Sequence, residues 1–307
     1  MFGCFIRCLA TGAIFLAFGN LSLFLFAEIF LVLYRRMHNK IVMKKLAGKW
    51  GIVTGCTDGI GLGMARELAA QGVNLVLISR STEKLQKLQE ELSPKIKVEI
   101  VAIDFENEEI DFSNVLSGVK KYSPHILINN VGVNASKPTA FMEHTQNDID
   151  RIIKVNIINT LKITREYLAW DAFPSEKKYV LSTGSMLGSM PSPFQQVYAG
   201  TKAFLQVWSE SMSTEIPRYH FELLMTGLVC SKLSGAKRPN IFTPSSDAYG
   251  KACIHSFGSA SITYPYFPHY LLSLLTALIP RRIIGLALDK VGRGMRARKQ
   301  RSSRKTE

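Results

Sequence analysis

A chain of 307 residues that is 47% hydrophobic is too apolar to stay disordered and long enough for one large domain with appendages. Its net charge of +14 is uneven: residues 35–49 hold six cations and no acid, residues 281–307 hold ten cations against Asp289 and Glu307, and the body between Trp50 and Pro280 carries no net charge. A neutral body with basic flanks argues against a nucleic-acid partner and for contact with anionic lipid, a solvated tail being the alternative for the C-terminal run.

The first predicted element is an apolar run over residues 9–33, with Asn20 and Glu28 as its polar interruptions. At about 1.5 Å per residue it exceeds a hydrocarbon core of roughly 30 Å, so it can span a membrane with some tilt. One arginine precedes it and Arg35, Arg36, Lys40, Lys44 and Lys45 follow it. That asymmetry is the reverse of a cleaved signal peptide and places the rest of the chain in the cytosol. The expected organisation is an anchor (1–34), a basic juxtamembrane linker (35–48), an α/β domain (49–264), an apolar membrane- or substrate-associated segment (265–291) and a basic tail (292–307). Five cysteines, Cys4, Cys8, Cys56, Cys230 and Cys253, show no metal-ligand or redox-pair spacing, as expected of reduced thiols in a cytosol-facing domain.

From Lys49 onward, strand and helix patterns alternate. WGIVTG, VNLVLIS, KVEIVAID, HILINN, KKYVLST and FELLMTG read as strands, with helices over 61–70, 82–92, 146–170 and 196–216 between them. Such alternation predicts a doubly wound, Rossmann-type parallel sheet. The first strand runs into Thr54-Gly55-Cys56-Thr57-Asp58-Gly59-Ile60-Gly61 and then a helix. Glycines there allow a tight turn and close approach of a pyrophosphate to the helix N-terminus. The second strand ends in Ser79-Arg80, where a carboxylate would otherwise hold a ribose hydroxyl; an arginine neutralises a 2′-phosphate, so NADPH is expected over NADH. Asp104, ending the third strand, is placed to accept from an adenine amino group.

Further along, Tyr198 and Lys202 lie one helical turn apart, and Ser185 precedes them by a strand end and a proline-containing loop. A phenol beside an ammonium can deliver a proton to a carbonyl oxygen, and a serine hydroxyl can bond that oxygen as charge develops on it. Taken together, TGCTDGIG (54–61), Asp104, NNVG (129–132), Asn156, Ser185, Tyr198 and Lys202 resemble the short-chain dehydrogenase/reductase pattern over roughly residues 46–231. The anchor, TDGIG and ISRSTEKL resemble in particular the branch of very-long-chain 3-oxoacyl-CoA reductases and 17-beta-hydroxysteroid dehydrogenases, whose members sit on the endoplasmic reticulum. The resemblance implies Tyr198 as general acid, Lys202 on the nicotinamide ribose, Ser185 on the substrate carbonyl and Asn156 holding a water that relays protons through Lys202. It assigns Gly55, Thr57, Asp58, Gly59, Ile60 and Gly61 to the pyrophosphate turn, Asn129 to the sheet centre beside the cofactor, and Val229 and Ser231 to the carboxamide.

Two features depart from that pattern. Thr226 to Ser231 (TGLVCS) lacks the family's proline, which predicts a less rigid loop, and Gly200 inside the Tyr198–Lys202 helix suggests close helix packing. Beyond Ser231, residues 245–257 read as a helix and 260–264 as a last strand. The apolar stretch 266–280 is short for a span; covering an acyl tunnel, lying in the membrane interface and forming one buried helix all fit it. His255 and His269 have no ligand-spaced partners and read as structural, and no metal is expected. The final Arg304-Lys305-Thr306-Glu307 resembles a dilysine retrieval tail. The expected function is an anchored NADPH-dependent reductase on the endoplasmic reticulum membrane, facing the cytosol. Its substrate would be a 3-oxoacyl-CoA of fatty acid elongation or a steroid ketone, and a homodimer would be in keeping with the family. From a different class, a non-catalytic membrane-bound scaffold is the rival.

Overall fold

The computed structural model describes residues 33–303 with Ala27, Phe30 and Leu31, apart from Glu108, Ala172 and Phe173; side chains are described up to Ala297. Most of the expected anchor, Cys4 and Cys8, and the Arg304–Glu307 tail lie outside the described residues. Among the described residues no helix is long and apolar enough to cross a membrane.

Seven parallel strands form one sheet: β1 (Trp50–Thr54), β2 (Asn74–Ser79), β3 (Val98–Ala102), β4 (Ile126–Asn129), β5 (Lys178–Thr183), β6 (Tyr219–Leu224) and β7 (Ile262–Thr263), in the order β3-β2-β1-β4-β5-β6-β7. Segments such as NLVLIS and ILIN are apolar without alternation because helices cover both faces of a parallel sheet. One face packs Val53, Leu75, Leu77 and Ile128 against Met64, Leu68, Leu85 and Tyr249; the other packs Ile52, Val76, Leu127 and Val180 against Phe112, Ile163 and Tyr167. Strand order reverses between β1 and β4. That reversal opens a crevice at the C-terminal strand ends, where doubly wound sheets bind ligands.

Around the sheet run α1 (residues 33–46), α2 (Gly59–Ala70), α3 (Thr82–Leu92), α4 (Phe112–Val115), α5 (Gln146–Ile153), α6 (Asn159–Ala169), α7 (Gln196–Glu215), α8 (Ser246–Ile254), α9 (Phe267–Ala277) and α10 (Arg281–Ser303). Several of these depart from the sequence reading or narrow it. The stretch expected as a juxtamembrane linker is α1, and it is docked: Val42, Met43 and Leu46 join the core, and Asn39 Nδ2 donates to the Ile254 and Phe257 carbonyls at 2.9 Å each. The helix expected over 146–170 is split by a π-helical turn at Lys154–Ile158, which carries Asn156; such turns concentrate at functional sites. On α9, only His269 is fully buried, while Phe267, Leu271 and Leu275 are exposed, so α9 is not a buried core helix. The expected boundary at 291/292 falls inside α10, which is continuous across it.

Gly200 sits on the outer side of α7, and a Cβ there would meet nothing within 4 Å. Close packing is therefore not the reason for this glycine. Gly200→Ala is expected to stabilise the protein by about 0.5–1 kcal/mol through the entropy of the unfolded chain. Thermal denaturation would show this as a small rise in Tm, and a fall would contradict it.

Candidate active site

Three strand ends and the start of α7 converge on the crevice. Ser185 caps the short 3-10 turn Met186–Ser189, its Oγ accepting from the Leu187 N–H at 3.2 Å, and its hydroxyl hydrogen-bonds that of Tyr198. Tyr198 lies in the first turn of α7 and Lys202 in the second, both buried. The Lys202 ammonium does not reach the phenol oxygen directly. It donates to the Thr183 carbonyl at the end of β5 (2.7 Å) and lies 5.7 Å from the Tyr198 ring centroid.

Burial sets the electrostatics of both groups. Burial pushes the Tyr198 phenol up to about 12, with the Ser185 hydrogen bond opposing it, and burial brings Lys202 down to about 8. At neutral pH Tyr198 is thus fully protonated, the state a proton donor needs, and an alkoxide forming beside it is basic enough to take that proton.

Lys202 also makes stability depend on pH. Its folded value lies below the ordinary 10.5, so between pH 8 and 10.5 the unfolded chain binds more protons than the folded one and stability rises with pH. Tyr198 acts with the opposite sign, but only above pH 10, where the unfolded phenol ionises first. Without cofactor, the protein is expected to gain about 2–3 kcal/mol from Lys202 as pH is raised across that window. Lys202→Met should flatten this gain, as read from Tm against pH; equal slopes for the two proteins would refute it.

Asn156 is fully buried, and its side chain is committed to structure. Oδ1 accepts from the Val133 N–H (2.8 Å), and Nδ2 donates to the Val133 carbonyl (2.9 Å) and to Thr201 Oγ1 (3.0 Å), which in turn donates to the Tyr198 carbonyl (2.7 Å). Through these bonds Asn156 clamps the segment after β4 to the catalytic helix.

The glycine-rich turn has the strain its sequence implies. Gly55 and Gly59 have φ of +64° and +57°, and a Cβ on Gly61 would overlap the Gly55 carbonyl and the Asn130 amide. Asp58 caps α2, accepting from the Gly59 N–H (2.7 Å), and pairs with Lys232 (2.6 Å). Thr57 Oγ1 and Ser79 Oγ are bonded at 2.7 Å, and Ile60 packs against the core. Arg80 at the end of β2 is mostly exposed and only loosely paired with Glu106 (3.8 Å). Asp104 Oδ1 accepts from the Glu106 N–H at 3.0 Å. Asn129 donates to Thr164 Oγ1 (2.8 Å), while its own buried Oδ1 has no partner. This cradle, with positive-φ glycines, an orphaned buried oxygen at the sheet centre and a loose arginine at the adenosine end, fits a dinucleotide.

The segment Thr226–Ser231 closes the site and is better held than the missing proline suggested. The Gly227 N–H donates to His269 Nδ1 (3.1 Å), and His269 Nε2 lies 3.1 Å from the Phe242 carbonyl. Tyr249 Oη donates to the Met225 carbonyl at 3.0 Å and lies 3.1 Å from Thr226 Oγ1, and the Val229 carbonyl accepts from Ser234 Oγ (2.6 Å). Ser231 Oγ lies 3.3 Å from Ser234 Oγ. His269 is structural, as read from the sequence, and so is His255, whose Nε2 lies 2.8 Å from Glu67 Oε1.

Sequence reasoning missed several members of this network. Asn130 Nδ2 donates to the Thr54 and Gly55 carbonyls (3.2 Å each), and its Oδ1 accepts from Thr183 Oγ1 (3.1 Å), linking the glycine turn to the strand end that holds Lys202. The NN doublet at a strand end was its one visible sign. Thr183, Thr201 and Lys232 had none, because the partners that tie them to the site, Asn130, Asn156 and Asp58, are distant in the chain.

Residues 49–240 match the family described as short chain dehydrogenase. The chain belongs to this family. Among curated short-chain dehydrogenases, the very-long-chain 3-oxoacyl-CoA reductase of Pyricularia oryzae is 35% identical over 232 residues, covering 72% of this chain and 69% of that protein. A protein of the same name from Aspergillus clavatus is 31% identical over 311 residues, covering 97% and 89%. Among solved structures, one of a 7beta-hydroxysteroid dehydrogenase shares the fold with a TM-score of 0.69 at 18% identity, covering 80% of this chain and 99% of that one.

Proposed function

We propose that this protein is a membrane-anchored, NADPH-dependent reductase that converts a 3-oxoacyl-CoA to the 3-hydroxyacyl-CoA in fatty acid elongation, with its catalytic body on the cytosolic face of the endoplasmic reticulum. The observation that carries this reading is the buried Ser185–Tyr198–Lys202 group at the sheet crevice, beside a turn that only glycines can form. NADPH supplies the hydride for the carbonyl carbon. Tyr198 would give its hydroxyl proton to the carbonyl oxygen, Ser185 would bond that oxygen as its charge grows, and Lys202, held by Thr183, would bind the ribose hydroxyls and favour the resulting phenolate.

An acyl thioester is favoured over a steroid ketone because curated relatives 31–35% identical to this chain are named as 3-oxoacyl-CoA reductases. The exposed apolar side chains of α1 and α9, among them Tyr34, Met37, Phe267 and Leu275, suit a body resting against the membrane that dissolves the substrate. Assay of the full-length, detergent-purified chain with NADPH and either a long-chain 3-oxoacyl-CoA or a 17-ketosteroid tests the reading. Consumption of NADPH with the thioester is expected; turnover of the steroid alone, or of neither, would overturn it.

Cofactor choice rests on Arg80. Charge-assisted bonds from a guanidinium to a phosphate are worth roughly 1.5–3 kcal/mol, so Arg80→Ala is expected to weaken NADPH binding about 10- to 100-fold and leave NADH unchanged. Cofactor fluorescence titrations would show it, and equal affinity of the natural protein for the two nucleotides would contradict the assignment.

A further inference from the structure

Away from Ser185, Tyr198 and Lys202, α10 builds a cleft that the reduction chemistry does not use. Residues 281, 285, 292 and 296 share one helical face, and that face lies along the loop joining Ser185 to Tyr198. Arg281 Nη1 donates to the Ser189 carbonyl (3.0 Å), Gly285 stands against Pro191, and Gly292 meets the Phe194 ring so closely that a Cβ would overlap it. Arg296 Nη2 donates to Glu143 Oε1 (2.6 Å). Between α10 and the segments around Ala140 and Phe194 lies a cavity of about 470 Å³ lined by Ala140, Phe194, Arg293, Arg296 and Ala297.

Three observations show what chemistry this cleft is built for. Arg293 and Arg296 both stand over the Phe194 ring, at 5.7 and 5.0 Å from its centroid, which brings two guanidiniums together. Each has one carboxylate partner, Asp289 and Glu143, yet Arg296 Nη1 is buried with no partner. A guanidinium carries five donors, and a buried one left unmatched is costly, so an acceptor oxygen brought by a ligand would complete it. Finally, Phe194 has φ +63° although it is not glycine, and is held by its carbonyl accepting from the Thr139 N–H (2.9 Å). Strain of this kind collects where a side chain has to be aimed, and Phe194 lies two residues before α7, whose first turn carries Tyr198.

We propose that this cleft binds the phosphorylated nucleotide head of the acyl-CoA, with Arg293 and Arg296 on its phosphate oxygens and the thioester arm passing Phe194 toward Tyr198. This rests on the 3-oxoacyl-CoA reading and adds the residues that distinguish a CoA ester from an uncharged lipid ketone. Planar, bidentate recognition of phosphate is what paired arginines do best.

The test uses the full-length protein saturated with NADP⁺, so that the cofactor site cannot take the probe. Calorimetric titration with CoA is expected to show binding, with pantetheine showing none and inorganic phosphate at most a far weaker signal. Arg293→Gln, which leaves the Arg296–Glu143 tie in place, should weaken CoA binding at least fivefold, and Arg293→Gln with Arg296→Gln at least tenfold, with NADPH affinity unchanged. In turnover the double variant should raise KM for a 3-oxoacyl-CoA at least tenfold with kcat within twofold, and leave KM for the matching 3-oxoacyl-pantetheine thioester unaltered. Unchanged CoA binding, equal losses for both thioesters, phosphate competing as well as CoA, or an effect confined to binding of anionic lipid vesicles would each overturn the proposal. Reduction of the CoA ester without dependence on the arginines would sink the cleft alone. Arginine-dependent CoA binding without any reduction would sink the reductase reading and leave the cleft standing.

Discussion

Tyr198→Phe is expected to lower kcat for carbonyl reduction about a thousandfold while NADPH binds with unchanged affinity. The substitution removes one oxygen from a buried site, keeps the ring that Lys202 faces at 5.7 Å, and leaves Lys202 bonded to Thr183. What is lost is the proton for the carbonyl oxygen. The native phenol, pushed up to about 12, holds that proton at every physiological pH, so the wild-type reduction rate should not fall through loss of this proton below pH 9. Single-turnover measurement of NADPH oxidation, with parallel titration of NADPH binding, separates the two effects. A variant retaining a tenth or more of native kcat would remove Tyr198 from the role of acid.

Gly61→Ala is expected to abolish dinucleotide binding and to cost about 1–3 kcal/mol of stability. Its new Cβ would overlap the Gly55 carbonyl and the Asn130 amide, one of them backbone, so relief requires moving the turn itself. Asn130 is also bonded to Thr183, which holds Lys202, so displacement of the turn should disturb the catalytic lysine as well. Equilibrium titration with NADPH and thermal denaturation would register both losses, and native affinity in the variant would show that the turn is not the cradle. Gly200→Ala makes the contrast within one chain: the same added methyl, placed in open space, should stabilise.

The layout of elements was readable because it is a local property. NLVLIS and KYVLST are uninterrupted apolar runs of strand length, TGCTDGIG can only be a tight turn, and Tyr198 and Lys202 share a helical face through spacing alone. These patterns determined a doubly wound sheet, the position of its crevice and the residue types gathered there.

Tertiary structure decided the rest, since it depends on which groups meet across long stretches of chain. The π turn around Asn156 exists with Val133 and Thr201 as its partners, 23 and 45 residues away. The loop without a proline is held by His269, 42 residues beyond Gly227. A basic segment that looks like a linker is a helix anchored in the core by Val42, Met43 and Leu46. Lys202 and Tyr198 have their proton affinities moved apart from ordinary values by burial, a property no spacing reveals. Sequence periodicity determined where a carbonyl can be reduced in this protein; long-range packing decided how the acid is poised, how the Thr226–Ser231 loop is held, and how α10 is laid along the loop before Tyr198.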